Sequence, residues 1–177
     1  MDTSNTGQFV KILVTQGKGE FIECDYFLPP LEPLEIRVKS VYTGVCRSDI
    51  DMMNGKFPLL PAKMSGHEGL GEVVARGSRV RDFDVKIGDY VATRGEPAYA
   101  DYYNCKPMTW VKVPNLDPDY IIEPVACGVN IETFCRDDLN LKKQNDQRRM
   151  FIIGTGFLAK VFQQTIDTFD WDIDVWG

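Results

Sequence analysis

The sequence predicts a mainly β, barrel-like first domain followed by the opening strand, helix and strand of a doubly wound α/β unit. Three observations carry this: short β-rich segments punctuated by Gly, Pro and Asp from Val10 to Val113, helical periodicity after Asp119, and an apolar run entering a glycine turn near Gly154. In order, the β-rich segments are Val10–Val14, Leu34–Val38, Gly71–Ala75, Tyr90–Thr93 and Trp110–Val113. Strands this short, so often bounded by turn residues, suit a barrel or sandwich better than a parallel sheet. One short helix interrupts them, because Cys46 to Met53 tolerates helix and stops at Asn54-Gly55, a favourable C-terminal cap.

From Asp119 to Cys135, Ile122, Val125 and Val129 recur at three- and four-residue steps, and Ile131 and Cys135 lie four apart, predicting a helix with a broad buried face. Arg136 to Arg149 is polar, with Asp137-Asp138 and Lys142-Lys143, and reads as a solvated helix end and loop joining two units. Arg149–Ile153 is an apolar strand candidate. It leads through Gly154-Thr155-Gly156-Phe157-Leu158-Ala159 into a helical pattern with Val161, Phe162, Ile166 and Phe169, and then to strand-like Ile173–Trp176. One such unit cannot cover both faces of a sheet, so it is expected to lean on the first domain or on a neighbouring molecule. The expected domains are 1–135, a connection at 136–148, and 149–177.

Composition limits the function classes. The 177 residues are 44% hydrophobic and 26% charged, ordinary for a globular chain, which excludes wholesale disorder. A formal net charge of −6 leaves no clustered positive field for phosphate backbones, so nucleic acid and anionic membranes are not expected partners. The start, MDTSNTGQF, lacks a basic and apolar leader, and no apolar run approaches a spanning helix, so a cytoplasmic location is expected. Cys24, Cys46, Cys105, Cys127 and Cys135 are irregularly spaced and read as free thiols or metal thiolates. His67 is the sole histidine, so any chemistry that needs imidazole must use it.

The donors cluster in three segments. Ser65-Gly66-His67-Glu68-Gly69 places an imidazole beside a carboxylate among glycines. Gly44-Val45-Cys46-Arg47-Ser48-Asp49 supplies a thiol, a hydroxyl and a carboxylate, and Glu123-Pro124-Val125-Ala126-Cys127 another carboxylate and thiol. Sulfur, nitrogen and oxygen donors together suit zinc, whose catalytic sites use about three protein ligands and keep a fourth position open.

These residues resemble the zinc-containing alcohol and polyol dehydrogenases of the medium-chain dehydrogenase/reductase superfamily. The resemblance rests on the zinc signature from Gly66-His67-Glu68 through Gly71 and Gly77 to Val80. The Cys46 segment, Lys86-Ile87-Gly88-Asp89-Tyr90-Val91, Glu123-Pro124-Val125-Ala126-Cys127 and the Gly154 turn follow in the family's order. It implies a GroES-like catalytic domain and the start of a Rossmann domain, about the first half of such an enzyme, and so a truncated one. It also implies one catalytic zinc on Cys46 and His67, with Glu68 ligating or just behind it. The remaining position falls to Glu123, as in sorbitol-type members, with Cys127 as the alternative. Ser48 resembles the hydroxyl that passes the alcohol proton outward, Asp49 the carboxylate that orients His67, and Arg47 a residue near the cofactor phosphates. Arg94 to Met108 offers only Cys105, so the structural zinc of many members is expected to be absent.

Gly154-Thr155-Gly156-Phe157-Leu158-Ala159 sits where a turn can present backbone N–H groups to a pyrophosphate at a helix N-terminus, Ala159 standing for the third glycine. The resemblance implies NAD or NADP and a small alcohol or polyol substrate, with homo-oligomers common among relatives. The competing expectation is a non-catalytic GroES-like binding or assembly module.

Overall fold

A computed structural model describes residues 6–56, 58, 65–95, 97–144, 149–167 and 171–177. The polar stretch at 145–148 and Phe169 lie outside the described residues. Two compact units are present, Met1–Glu123 and Pro124–Gly177.

In the first unit, strands β1 (Gln8–Thr15) and β2 (Phe21–Leu28) form an antiparallel hairpin. A five-stranded antiparallel sheet has the order β6-β3-β4-β5-β7, from β3 (Ile36–Thr43), β4 (Gly69–Arg76), β5 (Tyr90–Thr93), β6 (Tyr102–Cys105) and β7 (Trp110–Val113). Its core is Ile36, Val38, Val73, Val85, Val91, Tyr103 and Cys105, with Val80 and Trp110 packed against it. All five strands thus turn a face to one cluster, the curled arrangement expected of a barrel-like domain. A second cluster, Val10, Ile12 and Leu28, lies under the hairpin, with Ala100 and Tyr102 against it.

Two strands, β2 and β6, go beyond the five expected. The charges of β2 hide it in sequence: Glu23 and Asp25 sit on an exposed face, where Lys11 on β1 meets Asp25 at 2.8 Å. Strand β6 is only four residues long and contains Asn104, whose amide accepts from Arg37 at 3.0 Å. A polar residue satisfied inside the sheet is cheap to bury but erases the apolar signature.

Helix α1 (Arg47–Met53) begins after Cys46 and ends at Asn54, with Gly55 in the left-handed region. Pro118–Tyr120 forms a 3-10 turn, which the Asp117 side chain caps by accepting from the Asp119 N–H. Helix α2 runs Glu123–Gln144, past the helix end expected near Arg136. Its expected broad buried face is a correction: Val125, Val129 and Ile131 are exposed, and only Gly128 and Glu132 among the helix's described side chains are buried. Gly128 is where α2 meets α3: a Cβ there would collide with the Val161 side chain.

In the second unit β8 (Arg149–Ile153) and β9 (Asp172–Trp176) pair in parallel, connected by α3 (Phe157–Asp167). Among the described residues, Ile152 and Ile166 are its buried large apolar ones. Phe151, Ile153 and Trp176 remain exposed, because a strand–helix–strand unit covers one sheet face only.

Candidate metal centre

The site forms at one end of the two long central strands. The β3–β4 register pairs Thr43 with Gly69, and the Gly44 N–H donates to the Glu68 carbonyl at 2.8 Å. The chain leaving β3 therefore runs beside the chain entering β4. Cys46, at the start of α1, is brought to His67 and Glu68, and one ligand atom from each lies within 4.8 Å of the others. Glycine at 44 makes room for this: a Cβ there would collide with Glu68 Oε2.

Asp49 organises the cluster from behind. It is fully buried, and its carboxylate accepts from the backbone N–H of Cys46 (3.0 Å), the N–H of Gly66 (3.3 Å) and the Tyr99 hydroxyl (3.0 Å). His67 Nδ1 stands 3.7 Å from Asp49 Oδ1, longer than a hydrogen bond. His67 Nε2 is 4.0 Å from Glu68 Oε1. Burial raises the Glu68 carboxyl above its ordinary value; His67 opposes that shift, and Glu123 and Asp49 add to it. Burial, reinforced by Asp49, likewise holds the Tyr99 phenol well above its usual range, so it stays protonated and able to donate.

The other predicted residues fall as follows. Glu123 is not one of the three clustered donors; its Oε1 lies 3.6 Å from Arg94 Nε, while its charge reaches Glu68. Cys127 is exposed on α2, in the second unit. Ser48 is half-buried in the first turn of α1, and Arg47 is exposed and paired with Asp51 at 3.1 Å. Cys105 lies in the first unit's core, its thiol pushed up to about 12 by burial, whereas Cys135 is exposed. Gly154 and Gly156 lie in the turn between β8 and α3, and Phe157 and Leu158 open α3; Gly154 has φ +117°, and its N–H donates to the Trp176 carbonyl at 2.7 Å.

Sequence reasoning did not single out Tyr99 or Arg94. Tyr99 sits among other tyrosines in Ala98-Tyr99-Ala100-Asp101-Tyr102-Tyr103, and nothing local marks it as a partner of Asp49. Chemically, a thiol, an imidazole and a carboxylate converging beside a buried, hydrogen-bonded aspartate fit a zinc ion: the donors are of the types zinc takes, and the partner behind the histidine is of the kind that orients such ligands.

Residues 32–114 match the alcohol dehydrogenase GroES-like domain. Alcohol dehydrogenase 1 of Emericella nidulans is 46% identical over 65 residues, 35% of this chain and 18% of that protein. Among solved structures, acetophenone reductase from Geotrichum candidum in complex with NAD superposes with a TM-score of 0.72 at 21% identity, over 96% of this chain and 58% of that one. Galactitol-1-phosphate dehydrogenase from Escherichia coli does so with a TM-score of 0.65 at 21% identity, over 93% and 55%. The chain thus spans little more than half the length of these solved structures.

Fold and matched segment together define the class, an alcohol-dehydrogenase GroES-like domain leading into the start of a Rossmann-type α/β domain. Within that class, the match makes residues 32–114 an alcohol-dehydrogenase GroES-like domain, and the similarity to the solved dehydrogenases is one of fold. Among the described residues, no helix is long and apolar enough to cross a membrane.

Proposed function

We propose that this chain carries the zinc-holding part of a cytoplasmic, nicotinamide-dependent oxidoreductase acting on a small alcohol or polyol. The observation that carries the proposal is the convergence of Cys46, His67 and Glu68 within 4.8 Å, on the segments that bear the family's zinc signature. One zinc would be held by these three side chains. When bound, it supplies Lewis acidity towards a substrate hydroxyl. The chain's own residues do the rest. Asp49 fixes the Cys46 and Gly66 backbones and faces His67 Nδ1, which favours the tautomer with a lone pair on Nε2. Ser48, half-buried in the first turn of α1 two residues after Cys46, would relay a proton from the hydroxyl. Glu123 serves as a further carboxylate near Glu68, with Arg94 beside it.

The β8–α3 turn would take the pyrophosphate of NAD or NADP on the backbone N–H groups of Gly156, Phe157 and Leu158. By the resemblance alone, Arg47 is the residue assigned to the cofactor phosphates. The domain limits 1–135, 136–148 and 149–177, and assembly into a homo-oligomer, belong to the same proposal.

Elemental analysis of the purified chain should find roughly one zinc per chain, lost in His67→Ala. Reduced-cofactor absorbance with a panel of alcohols and sugar alcohols tests the reaction. A chain that binds no zinc in excess metal at neutral pH would overturn the proposal.

A further inference from the structure

We infer that Tyr99 is a positioning residue for the metal ligands, holding through its hydroxyl the Asp49 carboxylate that ties the Cys46 segment to the His67 segment. The inference rests on the zinc reading above for its consequence, but its geometry belongs to the chain alone. Tyr99 Oη donates to Asp49 Oδ2 at 3.0 Å, with the Gly44 carbonyl, 3.2 Å away, as the competing acceptor. Asp49 Oδ2 also accepts from the Cys46 N–H, and Oδ1 from the Gly66 N–H. One phenol therefore reaches the chain leaving β3, and through a single carboxylate it reaches both ligand-bearing segments.

The rest of Tyr99 is anchored well enough to make that hydroxyl a fixed reference. Its N–H donates to the Ser65 carbonyl at 3.1 Å, and its carbonyl accepts from the Leu13 N–H of β1 at 2.8 Å. Its ring meets Phe21 edge-on at 5.7 Å and is 8% exposed as a residue. Gly66, at φ +84°, lets the ring lie against the backbone, since a Cβ there would strike the ring. A buried carboxylate with three donors has little freedom; with two it can swing. Asp49 then ceases to hold the Cys46 turn and the Gly66–His67 backbone at a fixed separation.

Tyr99→Phe keeps the ring and removes only the hydroxyl. Two measurements on the full chain test the inference. Zinc affinity, read by competition with a chromogenic chelator, should fall about tenfold, the lower end of what losing an outer partner of a metal ligand costs. Amide exchange in the metal-free protein should accelerate at Cys46 and Gly66 while the amides of β3 and β4 away from the site keep their protection. A variant that binds zinc as tightly as the parent, with unchanged Cys46 and Gly66 exchange, would overturn the inference. If the parent itself binds no zinc, the zinc reading fails, and the amide exchange alone decides the role of Tyr99: faster exchange at the two amides supports it, and unchanged exchange removes it.

Discussion

Glu68 carries the sharpest pH consequence of any single residue. Its folded carboxyl titrates above the ordinary 4.5, first because it is buried and then because Glu123 and Asp49 repel its charge. A carboxyl with a raised folded value holds its proton more tightly when folded than when unfolded. The stability it contributes is therefore fully present below the unfolded value, and it is lost as pH rises through the folded value. In metal-free protein at pH 7, Glu68 is thus a liability, and Glu68→Gln should raise the urea midpoint. The difference should vanish towards pH 4, where the parent is protonated too. With zinc present the order should reverse, because the variant has surrendered an anionic donor. A metal-free variant less stable than the parent at pH 7 would contradict this account. Cys46, His67 and Glu68 were legible in sequence because glycines and a fixed spacing surround them. Tyr99 was not, because its partner lies 50 positions away and only the fold brings them together.

The two units present their elements differently. Central strands β3 and β4 were visible as short β-rich segments bounded by turn residues, and one face of each packs into a single core. Strand β2 escaped notice because its charges face solvent and find a partner on β1, and α2 outran its expected end because an exposed helix needs no apolar stripe to continue. Its last turns instead carry charge, with Arg136 paired to Glu132 at 3.0 Å. The turn before α3 supports a separate test. Around Gly156 a Cβ would meet nothing within 4 Å, and its backbone is not left-handed. Gly156→Ala should therefore leave folding stability within about 0.5 kcal/mol. Nucleotide affinity should nonetheless fall, since the methyl group would occupy the space a pyrophosphate needs against the turn. Thermal melts and NAD or NADP titration by calorimetry separate the two effects. A variant that loses stability instead would show that the turn is packed and not open.

At the scale of the whole chain, the proposed zinc site would be linked to the fold through the pairing of β3 with β4. Thr43 opposite Gly69 is the last rung of that ladder, and the three donors hang just beyond it. Cys46 is remote in sequence from His67 and Glu68 and becomes their neighbour only when the two strands are zipped to their ends. Such a clasp has no half-fastened form: a chain with the sheet undone offers zinc two separate weak grips. Rising denaturant should release the ion at the same midpoint at which the sheet loses its circular dichroism, with saturating zinc moving both midpoints upward together. The ion would then act as a rivet at the end of the sheet's central strand pair, and conditions that strip it would leave that end the first part of the sheet to fray.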